Sequence, residues 1–145
     1  MSPAGDSLVP GARYTTQGRT IGEADILSFA GLSGDFTPIH TDAEFAAATV
    51  FGARTAHGPL AMSVVIGLAT QTGIFGERVI GLVNINWDFA KPVMIGDTIR
   101  GEVVIEEVRP ASRPGRAVAT YGVTVTNQRG EAVQQGRMIV VIRDP

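Results

Sequence analysis

An apolar run from Leu60 to Ala69 places the strongest constraint on how this chain can fold. Its apolar residues cover every face of a helix: Leu60, Met62, Val64, Val65, Ile66, Leu68 and Ala69. Gly58 and Pro59 come directly before the run, and proline favours the first helical position because its missing N–H leaves no donor unpaired there. The run is shorter than the roughly 20 residues that a membrane span needs. We therefore expect a helix from Gly58 to near Thr72, buried on all sides at the centre of the fold.

Four β-rich runs follow this helix, at residues 79–90, 98–109, 117–126 and 132–142. Segments rich in Pro, Gly and Asn separate them, which is typical of strands joined by turns. A weaker extended segment lies at about residues 12–17. The pattern predicts an α+β fold in which an antiparallel five-stranded sheet, arranged as a meander, curls around the central helix. A chain of 145 residues fits one domain, spanning 1–145.

The segment before the central helix predicts two further helices. Thr20 and Glu23 match a capping box, in which each side chain bonds the other residue's backbone N–H. Gly34 suits the left-handed position that ends many helices, so a helix is expected from about Glu23 to Ser33. Asp42 can cap a second, short helix at residues 43–48.

The connection between these two helices is expected to be irregular. Thr37 precedes Pro38, and the residue before a proline is disfavoured in the helical region. Such a loop would display Asp35, and both histidines of the chain, His40 and His57, lie in the same stretch of residues 29–60. On residue type alone, Asp35 could also serve as a turn cap and His40 as a structural loop residue.

Composition excludes several classes of function. The 12 basic and 14 acidic residues leave a net charge of −2, and the basic residues are scattered, which argues against nucleic-acid or membrane-surface binding. The absence of cysteine excludes disulfides, thiolate metal sites and a thiol nucleophile. With two histidines and no His-x-x-x-His spacing, we expect no metal site. The first residues lack a basic patch before an apolar core, so we expect a cytoplasmic protein without a secretory signal.

Three segments together resemble the MaoC-like hydratase family, whose members are (R)-specific enoyl-CoA hydratases and related dehydratases with the hot-dog fold. They are Phe29–His40, with its Gly-Asp-x-x-Pro-x-His pattern; Ala56–Leu60; and Phe89–Val93 with Gly96-Asp97. The resemblance implies that Asp35 and His40 form the catalytic pair and that the N–H of Gly58 receives the thioester oxygen. A loop desolvated by a partner surface would raise the pKa of the Asp35 carboxyl and lower that of the His40 ring.

Hydration of an enoyl thioester requires a base, an acid and a group that holds the developing enolate oxygen. Asp35, His40 and the Gly58 N–H can supply all three, so we expect no cofactor. The candidate substrate-binding residues are His57, Pro59, Ser63 and Trp87. For His57, bracing the loop by hydrogen bonding is favoured over touching substrate. For Trp87, a place in the sheet core or an interface is favoured over lining an acyl tunnel. Many family members carry a hydroxyl residue where this chain has Ile66, with Ser63 one turn earlier.

The expected substrate is an acyl thioester, with coenzyme A favoured over acyl carrier protein as the carrier. We expect a homodimer or a higher homo-oligomer, because a lone sheet of this kind leaves an edge strand and an apolar cleft exposed. Two alternatives remain open at this point: a thioesterase on the same fold, and one subunit of a heterodimeric dehydratase.

Overall fold

The computed structural model describes residues 8–144, which form four helices and six strands. In chain order they are β1 (Arg13–Thr15), β2 (Arg19–Thr20), α1 (Glu23–Ser33), α2 (Pro38–Thr41), α3 (Ala43–Ala47), α4 (Gly58–Gln71), β3 (Val79–Phe89), β4 (Thr98–Pro110), β5 (Arg116–Thr126) and β6 (Ala132–Arg143). The predicted central helix and the four long strands are confirmed, with ends shifted by one or two residues.

The strands form one antiparallel sheet in the order β1-β4-β5-β6-β3, and the short β2 pairs with β4. The α+β fold with a five-stranded antiparallel sheet is therefore confirmed. The simple meander is wrong, because β3 pairs with β6 instead of β4. The segment between β3 and β4 does not form a tight hairpin: it bonds the chain ahead of α4, through the Ala56 N–H to the Val93 carbonyl and a bridge between Thr55 and Met94.

One face of α4 packs against the inner face of the sheet. Val65 lies so close to β4 that a Cβ on Gly101 would come within 2.6 Å of its Cγ1. Along β5 the side chains alternate between buried and half-buried, as expected for a strand with one face on the core. The prediction that α4 is buried on all sides is wrong: Pro59, Ser63 and Gly67 are exposed, because the sheet covers only one side of the helix.

Gly22, and not Thr20, is the N-cap residue of helix α1, so the predicted Thr20–Glu23 capping box is wrong. Thr20 is bound into β2, and the Asp25 carboxylate instead accepts the Gly22 N–H at 2.8 Å. The predicted end of the helix is confirmed, since Gly34 has a φ of 78° and its N–H donates to the Ala30 carbonyl.

The segment expected to be irregular contains the one-turn helix α2. Pro38 takes its first position, where no N–H is needed, and Thr37 before it is extended with a ψ of 131°. The restriction on Thr37 was therefore anticipated correctly, but it marks the start of a helix and not a continuing loop. The predicted cap of α3 is confirmed, because the Asp42 carboxylate accepts the Phe45 N–H at 2.9 Å.

Among residues 8–144, no helix has both the length and the apolar content needed to cross a membrane.

A buried carboxylate holds the turn that contacts the chain ahead of α4. Asp97 is 5% exposed, and it accepts the Met94 N–H at 2.9 Å and the Gln128 side-chain N–H at 2.8 Å. The turn at residues 94–97 is also bonded to the 54–56 segment, since the Ile95 N–H donates to the Arg54 carbonyl. Asp97 thus stabilises the position of the residues that lead into α4.

We predict that Asp97→Ala lowers the free energy of unfolding by about 2 kcal/mol, because two donors lose their acceptor in a buried environment. Urea denaturation measures this change. The matched control is Asp88→Ala on the exposed face of β3, which should stay within about 0.5 kcal/mol of the parent chain. Equal stability of the two variants would contradict the role of Asp97.

Candidate active site

The N-terminus of α4 brings together the three ionisable residues singled out from the sequence. A carboxylate oxygen of Asp35 and one ring nitrogen each of His40 and His57 all lie within 4.8 Å of one another. His40 and His57 are buried, whereas Asp35 is exposed. The structure therefore assembles residues that are up to 22 positions apart in the chain.

Asp35 is held at several of its atoms. Its N–H donates to Ser33 Oγ at 3.1 Å, and its carbonyl accepts from His57 Nε2 at 2.9 Å. Its Oδ1 accepts two hydrogen bonds from Thr37, one from the backbone N–H at 3.0 Å and one from the hydroxyl at 2.6 Å. No partner for Oδ2 occurs within residues 8–144, so this oxygen is available to a ligand or water.

The two hydrogen bonds from Thr37 hold the pKa of the Asp35 carboxyl below its ordinary value, and the bond from the hydroxyl has the larger effect. The nearby His57 and His40 rings also lower this pKa. In the single chain the loop is exposed to solvent and Thr37 stabilises the ionised form of Asp35. The rise in pKa expected from desolvation by a partner surface stays a prediction.

His40 lies on α2 with its ring buried against the chain ahead of α4. Its Nδ1 is 2.6 Å from the Thr55 carbonyl oxygen, which can only accept, so Nδ1 carries the proton of the neutral ring. Nε2 then keeps its lone pair and can accept a proton from a bound molecule.

His57 contacts both other members of the cluster. Its ring stacks on His40 with 3.9 Å between centroids and 26° between planes, and its Nε2–H donates to the backbone of Asp35. Its Nδ1 is buried without a hydrogen-bond partner in the described chain. The hydrogen bond to Asp35 is of the kind expected if His57 braces the loop.

The same stacking works against a shared metal ion. A histidine binds metal through a lone pair in its ring plane, at about 2.0–2.1 Å for zinc. Two rings that are nearly parallel and 3.9 Å apart have planes that meet far beyond such a distance. The cluster is better suited to a water molecule hydrogen-bonded between Asp35 and His40.

Gly58 begins α4 beside this cluster, and its surroundings leave no room for a side chain. A Cβ would lie 2.8 Å from Cδ1 and 2.9 Å from Cε1 of the Phe89 ring. The Gly58 carbonyl accepts from Gln134 Nε2 at 3.2 Å. Its N–H, one of the free donors at the helix N-terminus, has no acceptor within residues 8–144 and forms part of the positive end of the helix dipole.

The other predicted substrate-binding residues have contacts of their own. Ser63 Oγ donates to the carbonyl of Pro59 at 2.7 Å. Pro59 lies one helical turn before Ser63, and both residues are on the exposed face of α4. Trp87 lies on β3 and donates its Nε1–H to Gln134 at 3.0 Å. Ile66 is partly buried against the core, so the position where a hydroxyl was expected contributes packing.

Sequence reasoning missed Thr37 and Gln134. Thr37 could have been found, because a Thr two residues after an Asp often bonds its carboxylate in a turn. Gln134 carried no local signal: it lies in a β-rich run, and only the packing of β6 against α4 shows that it meets Gly58.

With this geometry in place, comparison with known proteins decides the family. The profile of the family described as "MaoC like domain" matches residues 7–127. The chain belongs to this family. It is 34% identical over 128 residues to an (R)-specific enoyl-CoA hydratase of Rhodospirillum rubrum, covering 86% of this chain and 81% of that protein. An (R)-specific enoyl-CoA hydratase of Aeromonas caviae is 34% identical over 122 residues, covering 84% and 87%.

Solved structures agree with the assignment. A monoamine oxidase regulatory protein from Archaeoglobus superposes with a TM-score of 0.89 at 36% identity, over 95% of this chain and 92% of that one. A double-hotdog protein of Mycobacterium tuberculosis superposes with a TM-score of 0.84 at 19% identity, over 95% and 43%, which shows the fold alone. The MaoC-like chain thus has the hot-dog fold. With its hydratase relatives, it is a hydro-lyase, an enzyme that adds or removes water.

We predict that Thr37→Val raises the pKa of the Asp35 carboxyl, because the stronger of its two hydrogen bonds is lost. Carbon-13 NMR titration of the aspartate carboxyls measures the change, and the titration midpoint should move to higher pH. Thr41→Val is the matched control, since the Thr41 hydroxyl bonds the Phe36 carbonyl and not Asp35. A midpoint that moves equally in both variants would refute the assignment to Thr37.

Proposed function

We propose that this MaoC-like chain catalyses (R)-specific hydration of trans-2-enoyl thioesters, and the reverse dehydration of (R)-3-hydroxyacyl thioesters, on coenzyme A. The observation that carries the proposal is the placement of Asp35 and His40 within 4.8 Å of each other beside the free N-terminus of α4. The names of the two curated hydratase relatives support coenzyme A as the carrier.

Asp35 and His40 hold the reacting water. The Asp35 carboxylate and the lone pair of His40 each accept one hydrogen bond from the same molecule, which directs a lone pair of the water oxygen at the substrate. As that oxygen bonds to Cβ, one water proton passes to the Asp35–His40 pair. The pair returns a proton to Cα on the same face, so water adds syn and the residues end as they began.

The Gly58 N–H stabilises the charge that develops. When oxygen bonds to Cβ, the electrons of the double bond move toward the thioester carbonyl, whose oxygen becomes negative. A fixed N–H at a helix N-terminus meets that charge without reorganisation, and one such donor contributes roughly 3 to 4 kcal/mol in other enzymes. In this proposal His57 braces Asp35 and His40. The exposed residues Pro59 and Ser63 on the first turns of α4, together with Trp87 on β3, are the candidates for contact with the substrate.

We predict that Asp35→Asn and His40→Ala each reduce kcat by about 10²- to 10⁴-fold, the usual contribution of positioned proton transfer. The measurement is loss of ultraviolet absorbance of the enoyl thioester with crotonyl-coenzyme A as the substrate, with chiral analysis of the product. Asp42→Asn is the control, because Asp42 caps α3. Undiminished turnover in either of the first two variants would refute this site.

The same assay separates the alternatives. Thiol release without alkene loss would indicate a thioesterase. Activity that appears only when a second, homologous chain is added would indicate one subunit of a heterodimeric dehydratase. Retention of Asp35, His40 and Gly58 in one chain supports the self-sufficient enzyme.

We predict that Gly58→Ala lowers kcat by about 10²- to 10³-fold, because the methyl group meets the Phe89 ring and displaces the oxyanion donor. Gly67→Ala is a matched control on the same helix: a Cβ at Gly67 has no atom within 4 Å, and alanine favours a helix. Equal kcat values for the two variants would show that the Gly58 N–H has no catalytic role.

We also propose that the enzyme is a homodimer in which β3 meets a second copy. β3 is an edge strand of the sheet, so its outer backbone groups lack strand partners. Five of its large apolar side chains are exposed: Val79, Ile80, Leu82, Val83 and Phe89. Pairing with a second copy would cover both features, and the family's usual arrangement is such a dimer.

We predict that light scattering gives twice the mass of the chain for the parent protein and the mass of a single chain for Val83→Lys, which adds charge to the edge strand. Val9→Lys is the control, because Val9 is similarly exposed but precedes β1 at the opposite edge. A monomeric parent protein, or dissociation of both variants, would contradict pairing through β3.

A further inference from the structure

We propose that Gln134 is a positioning residue that sets the orientation of the Gly58 N–H, with Trp87 holding the Gln134 side chain in place. The inference rests on the proposed function, in which that N–H receives the thioester oxygen. It assigns a role to a residue that carries none of the chemistry itself.

Gln134 is a buried amide with both ends bonded. It is 2% exposed on the inner face of β6, where an unpaired polar group would be costly. Its Nε2–H donates to the Gly58 carbonyl at 3.2 Å, and its Oε1 accepts the Trp87 Nε1–H at 3.0 Å. The three residues therefore form one chain of hydrogen bonds from β3 through β6 to the first residue of α4.

The strand register brings a further contact to the same point. Phe89 is the direct partner of Gln134 across β3 and β6, and its ring lies against the Cα of Gly58. Trp87 pairs with Gly136, and a Cβ on Gly136 would lie 2.2 Å from the Trp87 ring, so the indole lies over that glycine. The absence of a side chain at 136 thus lets the indole reach Gln134.

These contacts add restraint at the residue where α4 begins. Glycine has the widest backbone freedom of any residue, and Pro59 after it has no N–H to anchor the next peptide. The Phe89 ring limits the Cα of Gly58, and Gln134 limits its carbonyl. The N–H belongs to the peptide bond with His57, whose ring is held by its bond to the Asp35 carbonyl. With the Cα and carbonyl also restrained, the N–H keeps one direction before the substrate arrives, as an oxyanion donor requires.

Gln134→Leu tests the proposal, with Gln135→Leu as the matched control. Gln135 is the next residue on β6, but it is exposed on the outer face of the sheet. We expect Gln134→Leu to lower kcat by about 10-fold, with KM within about twofold of the parent enzyme. A 1 Å misplacement of a catalytic group costs roughly 100-fold, and the loss of one restraint on Gly58 should cost less. Gln135→Leu should match the parent enzyme. Equal kcat in both variants, or a rise in KM alone, would overturn the proposal.

A second measurement separates positioning from a general loss of structure. In an Asp35→Asn background, where turnover is slow, vibrational spectroscopy of bound crotonyl-coenzyme A reports hydrogen bonding to its thioester carbonyl. The stretch should move to lower frequency on binding, and Gln134→Leu should reduce this shift while Gln135→Leu leaves it unchanged. A loss of kcat with an unaltered carbonyl shift would also overturn the proposal.

Trp87→Phe decides the matter if Gln134→Leu does not fold. This variant keeps Gln134 but removes the donor that holds its Oε1, so both kcat and the carbonyl shift should fall by smaller amounts. Unchanged values of both would overturn the proposal. The result is distinct from failure of the proposed function, which would show as absence of hydration by the parent enzyme.

Discussion

Packing of α4 against the inner face of the sheet is the interaction on which the rest of this structure depends. The apolar side of the helix and the inward-facing residues of the sheet are buried against each other and form one core. It also fixes where the helix begins, because Phe89 and Gln134 of the two strands at one edge meet Gly58. The same burial that stabilises the fold therefore places a helix N-terminus, with its free N–H groups, at the mouth of the site.

The loop that carries Asp35 is attached to that helix through His57. The ring bonds the backbone of Asp35, stacks on His40, and belongs to the residue whose peptide bond carries the Gly58 N–H. Three groups from separate segments are thus linked by one buried side chain. Displacement of the loop relative to the helix would have to break these contacts together, so Asp35, His40 and the Gly58 N–H keep a constant separation.

The ionisation of Asp35 shows how local contacts govern the chemistry of the site. Desolvation of the loop would raise the pKa of this carboxyl, but Thr37 donates two hydrogen bonds to it and lowers the pKa. The lowered pKa favours the ionised carboxylate, which is the form that only accepts hydrogen bonds. Pairing with a second copy through β3 would cover the exposed apolar side chains of that strand.

The sequence by itself determined the long elements of the fold and several residues of the candidate site. An apolar run behind Gly58-Pro59 and four β-rich runs predicted the central helix and the strands, because periodicity, caps and turn residues act over a few positions. The pairing of Asp35 with His40 was implied by the resemblance of the segment from Phe29 to His40 to the MaoC-like family. Only the tertiary structure decided that β3 pairs with β6, that one face of α4 is uncovered, and that Gln134 reaches Gly58. Those outcomes depend on contacts between residues distant in the chain, here 76 positions apart for Gln134 and Gly58, and no local pattern encodes such a distance.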